Sequence, residues 1–183
     1  GIDVELARRT AIPKVSLALT FDAGNAADDP AHAGVQSLML DTRKEGTATR
    51  SAEQIAEEQD RLGASIATGS NTDSSQVSMT ALTANLAPSL ELMAEVVRHP
   101  KFADADVARA KNQRLADIAQ EQADPNGLAL RAIRPLIYGP QHPYGSVGGS
   151  GKAATIEALS PADLRAEHDK WLRPDLARVT VVG

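Results

Sequence analysis

An α+β fold, with a mixed and largely antiparallel sheet covered on one face by helices, is what this sequence predicts. Three observations lead there. Segments with period-two alternation stand near both ends of the chain, a further pair flanks a polar turn in the middle, and amphipathic stretches of helical period fill the rest.

Val4 and Leu6 alternate with Asp3 and Glu5, and then Val15, Leu17, Leu19 and Phe21 alternate with Ser16, Ala18 and Thr20. Such alternation predicts strands with one buried and one less buried face. Ile12-Pro13 turns the chain between them. Asp22-Ala23-Gly24-Asn25, followed by Asp28-Asp29-Pro30, ends the second strand in a loop. A helix is predicted from Ala31 to Lys44, with Val35, Leu38, Met39 and Thr42 at helical spacing and Gly46 where a C-terminal cap belongs. Ser51 with Gln54 makes a capping box for the next helix, whose stripe is Ile55, Leu62 and the alanines between, and Gly63 stops it.

Ala64–Ala67 and Gln76–Leu82 read as a hairpin through Gly69-Ser70-Asn71-Thr72-Asp73, with Val77, Met79 and Ala81 on one face. Leu86, Leu90, Met93 and Val97 then mark a helix at near-heptad spacing. A long polar helix from Asp104 to Gln122 carries the stripe Val107, Ala110, Leu115 and Ile118, and Asp124-Pro125-Asn126-Gly127 breaks it before a short helix, Leu128–Tyr138. Ser160-Pro161, a capping serine before a proline at the first helical position, starts a helix that runs to Trp171. The chain closes with a strand, Arg178–Val182.

The 183 residues suit one domain. A domain of this size buries roughly 70% of its unfolded surface and needs no covalent staple. The chain has no cysteines, which excludes disulfides and thiolate metal sites while leaving the compartment open. The net charge of −5 is mixed in sign along the chain, and no basic run or aromatic-interleaved patch offers a phosphate-binding surface, so nucleic acid is not an expected partner. The longest apolar runs, such as Val179–Val182, are too short to span a bilayer. Beginning at Gly1 without a methionine and ending at Gly183 after an apolar run, the chain reads as a piece or processed product of a longer two-domain subunit.

Several local patterns fail their tests. The stretch Gly145-Ser146-Val147-Gly148-Gly149-Ser150-Gly151-Lys152 resembles a phosphate loop, but Ser146 stands where the first glycine belongs and Ala153 where Ser/Thr belongs. A dinucleotide fingerprint fails at Ala154. The four histidines, His32, His99, His142 and His168, include no pair three or four residues apart, so helix-borne zinc pairing is absent. His99 and His142 precede prolines in turns, and His168 reads as a surface or packing residue. No serine has nucleophile-elbow surroundings.

The order of landmarks is more informative. Phe21-Asp22-Ala23-Gly24-Asn25, a helix opening near Gly34, Glu45-Gly46-Thr47 and Ser51 come first. Leu62-Gly63-Ala64, Tyr138-Gly139, His142-Pro143-Tyr144-Gly145, Trp171-Leu172-Arg173-Pro174 and Val181-Val182-Gly183 follow. This order resembles the pitrilysin (insulinase) family of zinc peptidases, which includes mitochondrial processing peptidase and the core proteins of the cytochrome bc1 complex. The resemblance covers essentially the whole chain. It implies an inverted motif, His-x-x-Glu-His, on the helix after the second strand, with two zinc-binding histidines and a glutamate base, and a further glutamate ligand roughly seventy-six residues further on, in a helix. Aligned from Gly34 through Gly46-Thr47, the three motif positions fall on Ser37, Leu40 and Asp41, and the last ligand falls on Asp117.

A hydroxyl, an aliphatic chain and a carboxylate cannot reproduce that chemistry: the imidazole ligands are gone and nothing takes a proton from water. Asp41 and Asp117 are expected either as solvated or hydrogen-bonded polar groups of a packed helix pair, or as an oxygen-rich remnant that holds a hard cation weakly. Leu40 is expected in the packing. The resemblance implies the first domain of a motif-less half, with no catalytic residue and no zinc of its own. Its partner would be a zinc-bearing half of the same family and its substrate an unstructured peptide. Relatives of this kind are commonly exported, which points to the periplasm. The alternatives are a purely structural assembly subunit like the bc1 core proteins, and a metal-dependent hydrolase using Asp41 and Asp117.

Overall fold

The computed structural model describes residues 2–145 and 148–183; Ser146 and Val147 of the glycine-rich stretch, and Gly1, lie outside the described residues. Five strands, β1 (Asp3–Ala7), β2 (Lys14–Phe21), β3 (Ser65–Ser70), β4 (Ser75–Leu82) and β5 (Ala177–Val182), form one sheet in the order β1-β5-β2-β4-β3. The β1–β5 pair is parallel and the other pairs are antiparallel, so the sheet is mixed and largely antiparallel as the sequence predicts. The helices are α1 (Val35–Thr42), α2 (Ala52–Leu62), α3 (Leu86–Arg98), α4 (Asp104–Ala123), α5 (Pro125–Tyr138), α6 (Ala153–Ala158) and α7 (Pro161–Trp171).

Register decides which strand residues share the buried face. Leu17 stands opposite Met79 and Val181, and Leu19 opposite Val77 and Val179. On that face Phe21, Val77, Met79 and Ala81 pack with Leu62 of α2 and with Leu92, Met93 and Val97 of α3. Val77, Met79 and Ala81 are buried together, which is the single face read from their alternation. The opposite face carries Ser16, Thr20, Gln76, Ser78 and Thr80, which are exposed or half-buried. A second core lies between helices, where Leu38, Met39 and Leu40 of α1 meet Val107 and Ile118 of α4, Ile156 of α6 and Leu164 of α7.

The predicted caps form. Ser51 accepts from Gln54 N at 3.2 Å while Gln54 Oε1 accepts from Ser51 N at 2.9 Å. Ser160 caps α7 in the same reciprocal way with Asp163, and Pro161 occupies the first turn. Gly63 closes α2 at φ 60°, a left-handed conformation that costs a glycine nothing.

Five details depart from the expectations. The stretch Ala31–Lys44 is not one helix: a 3-10 turn at Pro30–His32 precedes Gly34, and another at Arg43–Glu45 follows α1. Strand β1 is exposed along its whole length, so Val4 and Leu6 have no buried face; α1 and α2 lie against β3 and α3 against β4, away from the β1 edge. On α3 the buried residues are Ser89, Leu92, Met93, Val96 and Val97, while Leu90 is 36% exposed. The six-residue α6 was not foreseen, and α5 begins at Pro125, because Asp124 accepts from Gly127 N at 2.7 Å and caps it.

Candidate functional site

Helix α1 is set between the β3 edge of the sheet and α4, and its N-terminus is held by a carboxylate from the preceding loop. Asp28 accepts from Gly34 N at 2.7 Å and from Gln36 N at 3.3 Å. Burial outweighs these bonds and pushes the Asp28 carboxyl up to about 7. Gln36 ties the helix to the sheet from within the core: its Nε2 donates to Ala23 O at 3.1 Å and to Ser75 Oγ at 2.7 Å.

The positions singled out by the sequence separate in space. Ser37 is buried in the first turn of α1, donates to Asn25 Oδ1 at 3.0 Å, and lies 2.9 Å from Ser70 Oγ. Leu40 points into the interhelical core with no exposure. Asp41 stands on the open side of α1 and accepts from Arg114 Nη2 of α4. Asp117 does not join them: it is exposed on α4 and accepts from Gln113 Nε2 at 2.9 Å. Helix α4 turns Arg114 and Glu121, seven residues apart, toward α1 instead. With Ser37, Asp41, Ser70 and Gly149 they line a polar cleft of about 320 Å³.

Both new residues are held from a third direction. Arg114 Nη1 donates to Gly149 O at 3.2 Å, and Glu121 accepts from Arg131 Nη1 at 2.6 Å and from Ser150 Oγ at 3.0 Å. Sequence reasoning missed Arg114, Glu121 and Arg131. The available signal was two oppositely charged residues two helical turns apart on one face of a long polar helix.

This donor set does not suit zinc. The Asp41 carboxylate already faces a guanidinium, the Ser37 hydroxyl is spent on Asn25 and Ser70, and Leu40 has no lone pair. Among the described residues, no group of three or more His, Asp or Glu side chains is placed to hold a metal ion. The histidines lie elsewhere. His168 Nε2 sits 3.0 Å from Val97 O and its ring meets Phe102 edge-on, so it is a packing residue, and His142 stacks on Tyr138.

A second concavity, of about 530 Å³ and mostly apolar, lies on the helical side of the sheet among Leu17, Leu19, Leu90, Met93, Leu172 and Val179. Helix α5 buries none of its residues, and Leu130 and Leu136 are 71% and 82% exposed. No helix among the described residues is long and apolar enough to cross a membrane.

Comparison with known proteins places this geometry in context. The sequence model of the insulinase family (peptidase family M16) matches residues 3–139. An uncharacterized zinc protease of Rickettsia bellii is 25% identical over 149 residues, 81% of this chain and 36% of that protein. The mitochondrial-processing peptidase subunit alpha of Solanum tuberosum is 26% identical over 134 residues, 73% of this chain and 26% of that subunit. Among solved structures, a peptidase M16 inactive domain from Pseudomonas fluorescens superposes with a TM-score of 0.95 at 32% identity, over 100% of this chain and 44% of its own. The first half of the periplasmic protease PqqL from Escherichia coli shares the fold, with a TM-score of 0.86 at 18% identity, over 100% of this chain and 40% of its own. The chain thus spans less than half the length of these relatives. With the family's sequence pattern running through most of its length, the chain belongs to the insulinase family of peptidases, family M16.

Proposed function

We propose that this chain is a non-catalytic domain of a zinc peptidase, which completes the peptide-binding chamber of a zinc-bearing partner half. The observation that carries this reading is the fate of the motif positions: Leu40 in the core, Ser37 hydrogen-bonded, and Asp41 paired with Arg114. None of these supplies an activated water or a base. The likeness to the Pseudomonas fluorescens inactive domain supports the same reading. Zinc then belongs to the partner half. The exposed apolar surfaces of α5 and β1, and the groove beside α3, support contact with further protein.

Peptide would be gathered along β3. This strand is an outer member of the sheet, and Gly69 and Ser70 at its end border the polar cleft. An extended substrate pairing with such an edge is held by main-chain hydrogen bonds with little demand on sequence. Export to the periplasm fits the likeness in fold to a periplasmic protease; cell fractionation tests it.

The test is reconstitution. Mixing the chain with the zinc-bearing half should form a complex and raise hydrolysis of a quenched peptide, whereas neither complex nor added turnover would sink the proposal. The same apolar surfaces favour one rival, a structural assembly subunit like the bc1 core proteins. That rival predicts the complex without the gain in turnover. A hydrolase built on Asp41 and Asp117 finds no support, since the two carboxylates do not meet in the cleft.

A further inference from the structure

The cleft between α1 and α4 has lost more than its ligands. Arg114 of α4 faces Asp41 of α1, and Arg131 of α5 faces Glu121 of α4. Two guanidiniums meet two carboxylates, so the cleft carries no surplus negative charge to attract a cation. Both arginines also grip the segment that follows α5. Arg114 donates to Gly149 O at 3.2 Å, and Arg131 donates to Gly151 O at 2.7 Å and to Ser150 Oγ at 2.8 Å.

That segment runs hard against the first motif position. A Cβ at Gly149 would lie 2.7 Å from Ser37 Oγ and 2.8 Å from Asn25 Nδ2, closer than real side chains approach. Ser37 ends one heavy atom beyond Cβ, and even that atom would crowd a side chain at position 149. In the direction that the Ser37 hydroxyl takes, an imidazole would run into the Gly149–Gly151 segment, and the two arginines hold that segment in place.

We infer that the cleft is closed to a metal ion by its own residues: the Arg114 guanidinium is a tethered cation opposite Asp41 and pins Gly149 over Ser37, while Arg131 holds Ser150 and Gly151 beside it. The loss of metal binding is then built into the packing as well as into the ligand positions. Restoring the ligands without removing Arg114 does not restore the site. The inference concerns this chain's own side chains and stands or falls independently of any partner half.

The experiment compares zinc binding by Ser37→His/Asp41→His with the same pair carrying Arg114→Ala. Leu40 is left alone because a glutamate there would bury a charge in the core. Zinc content is read by elemental analysis, affinity by competition with a chromophoric chelator, and folding by circular dichroism. The two-histidine variant should bind zinc no better than the natural chain, and removal of Arg114 should tighten binding on the order of 100-fold. Tight zinc binding with Arg114 in place would overturn the inference, as would a folded three-site variant that gains nothing.

If the histidine variants do not fold, Arg114→Ala/Arg131→Ala in the natural chain decides. In the natural chain Gly151 N donates to Gly148 O at 3.1 Å. Without both arginines the amide exchange at Gly151 should quicken about tenfold or more, as a local opening becomes easier. Unchanged protection would show that the arginines do not hold the segment and would overturn the inference.

Discussion

Arg43 Nε and Nη2 both reach the carbonyl oxygen of Val96, each at 3.3 Å, and Nη2 also donates to the carbonyl of Val97. This guanidinium, with no solvent exposure, closes the C-terminal end of α3 and joins it to the end of α1. Carbonyls at a helix C-terminus lack intrahelical donors and carry partial negative charge, so a cation suits them. Burial draws the Arg43 pKa down to about 9, which leaves it charged at neutral pH.

Replacing Arg43 by alanine removes a large buried side chain and strands two carbonyls. The change should cost about 2–4 kcal/mol of stability. Urea unfolding measures this as a lower midpoint at unchanged slope. A loss below about 0.5 kcal/mol, the range of ordinary surface changes, would mean that the α3 end finds its donors elsewhere.

Asp28 makes stability depend on pH in a stated direction. Its carboxyl is pushed up to about 7 in the folded chain against an ordinary value of 3.8, and burial is the main cause. The folded state therefore holds this proton more tightly than the unfolded state does. The associated stability is fully present below pH 4 and is lost as pH rises through 7. Burial raises Glu167 in the same sense. Asp28→Asn keeps an acceptor for Gly34 N and removes the charge, so the loss of stability between pH 5 and 8 should shrink by about 2–3 kcal/mol. Chemical denaturation of both proteins at the two pH values checks it, and parallel pH profiles would refute it.

The capping box of α2 offers a local test. Ser51→Ala leaves Gln54 N without its side-chain acceptor, and a loss of about 1 kcal/mol is expected in thermal or urea unfolding.

Leu130 and Leu136 of α5 are 71% and 82% exposed. Glutamates at both positions should change the stability of the isolated chain by no more than about 0.5 kcal/mol, because nothing buried is disturbed. If α5 is a contact surface in the assembly, the same double substitution should abolish the complex on a sizing column. A complex that survives would place the partner on another face.

Much of this fold was legible because its signals are local. The serine at each cap lies three residues from its partner, as Ser51 does from Gln54 and Ser160 from Asp163. Alternation over Gln76–Leu82 identifies the buried face of β4, since successive strand residues point to opposite sides. The ordered landmarks from Phe21 to Gly183 identified the family, and the replacement of its zinc ligands at Ser37 and Asp41 is visible in the letters themselves.

What the tertiary structure alone decided depends on residues far apart in the chain. Strand β1 alternates like β2, yet no helix reaches its edge, so Val4 and Leu6 stay in the open. The inward arc of α3 follows from the sheet and α2, which pack against it, and the heptad reading could not place it. Asp117 held the aligned ligand position, but α4 turns Arg114 and Glu121 into the cleft instead. Asp41 and Arg114 meet across 73 residues of sequence, as do Ser37 and the Gly149 backbone across a longer gap. Periodicity and capping are properties of one turn of chain, whereas the charge balance of a cleft exists only after separate helices have packed.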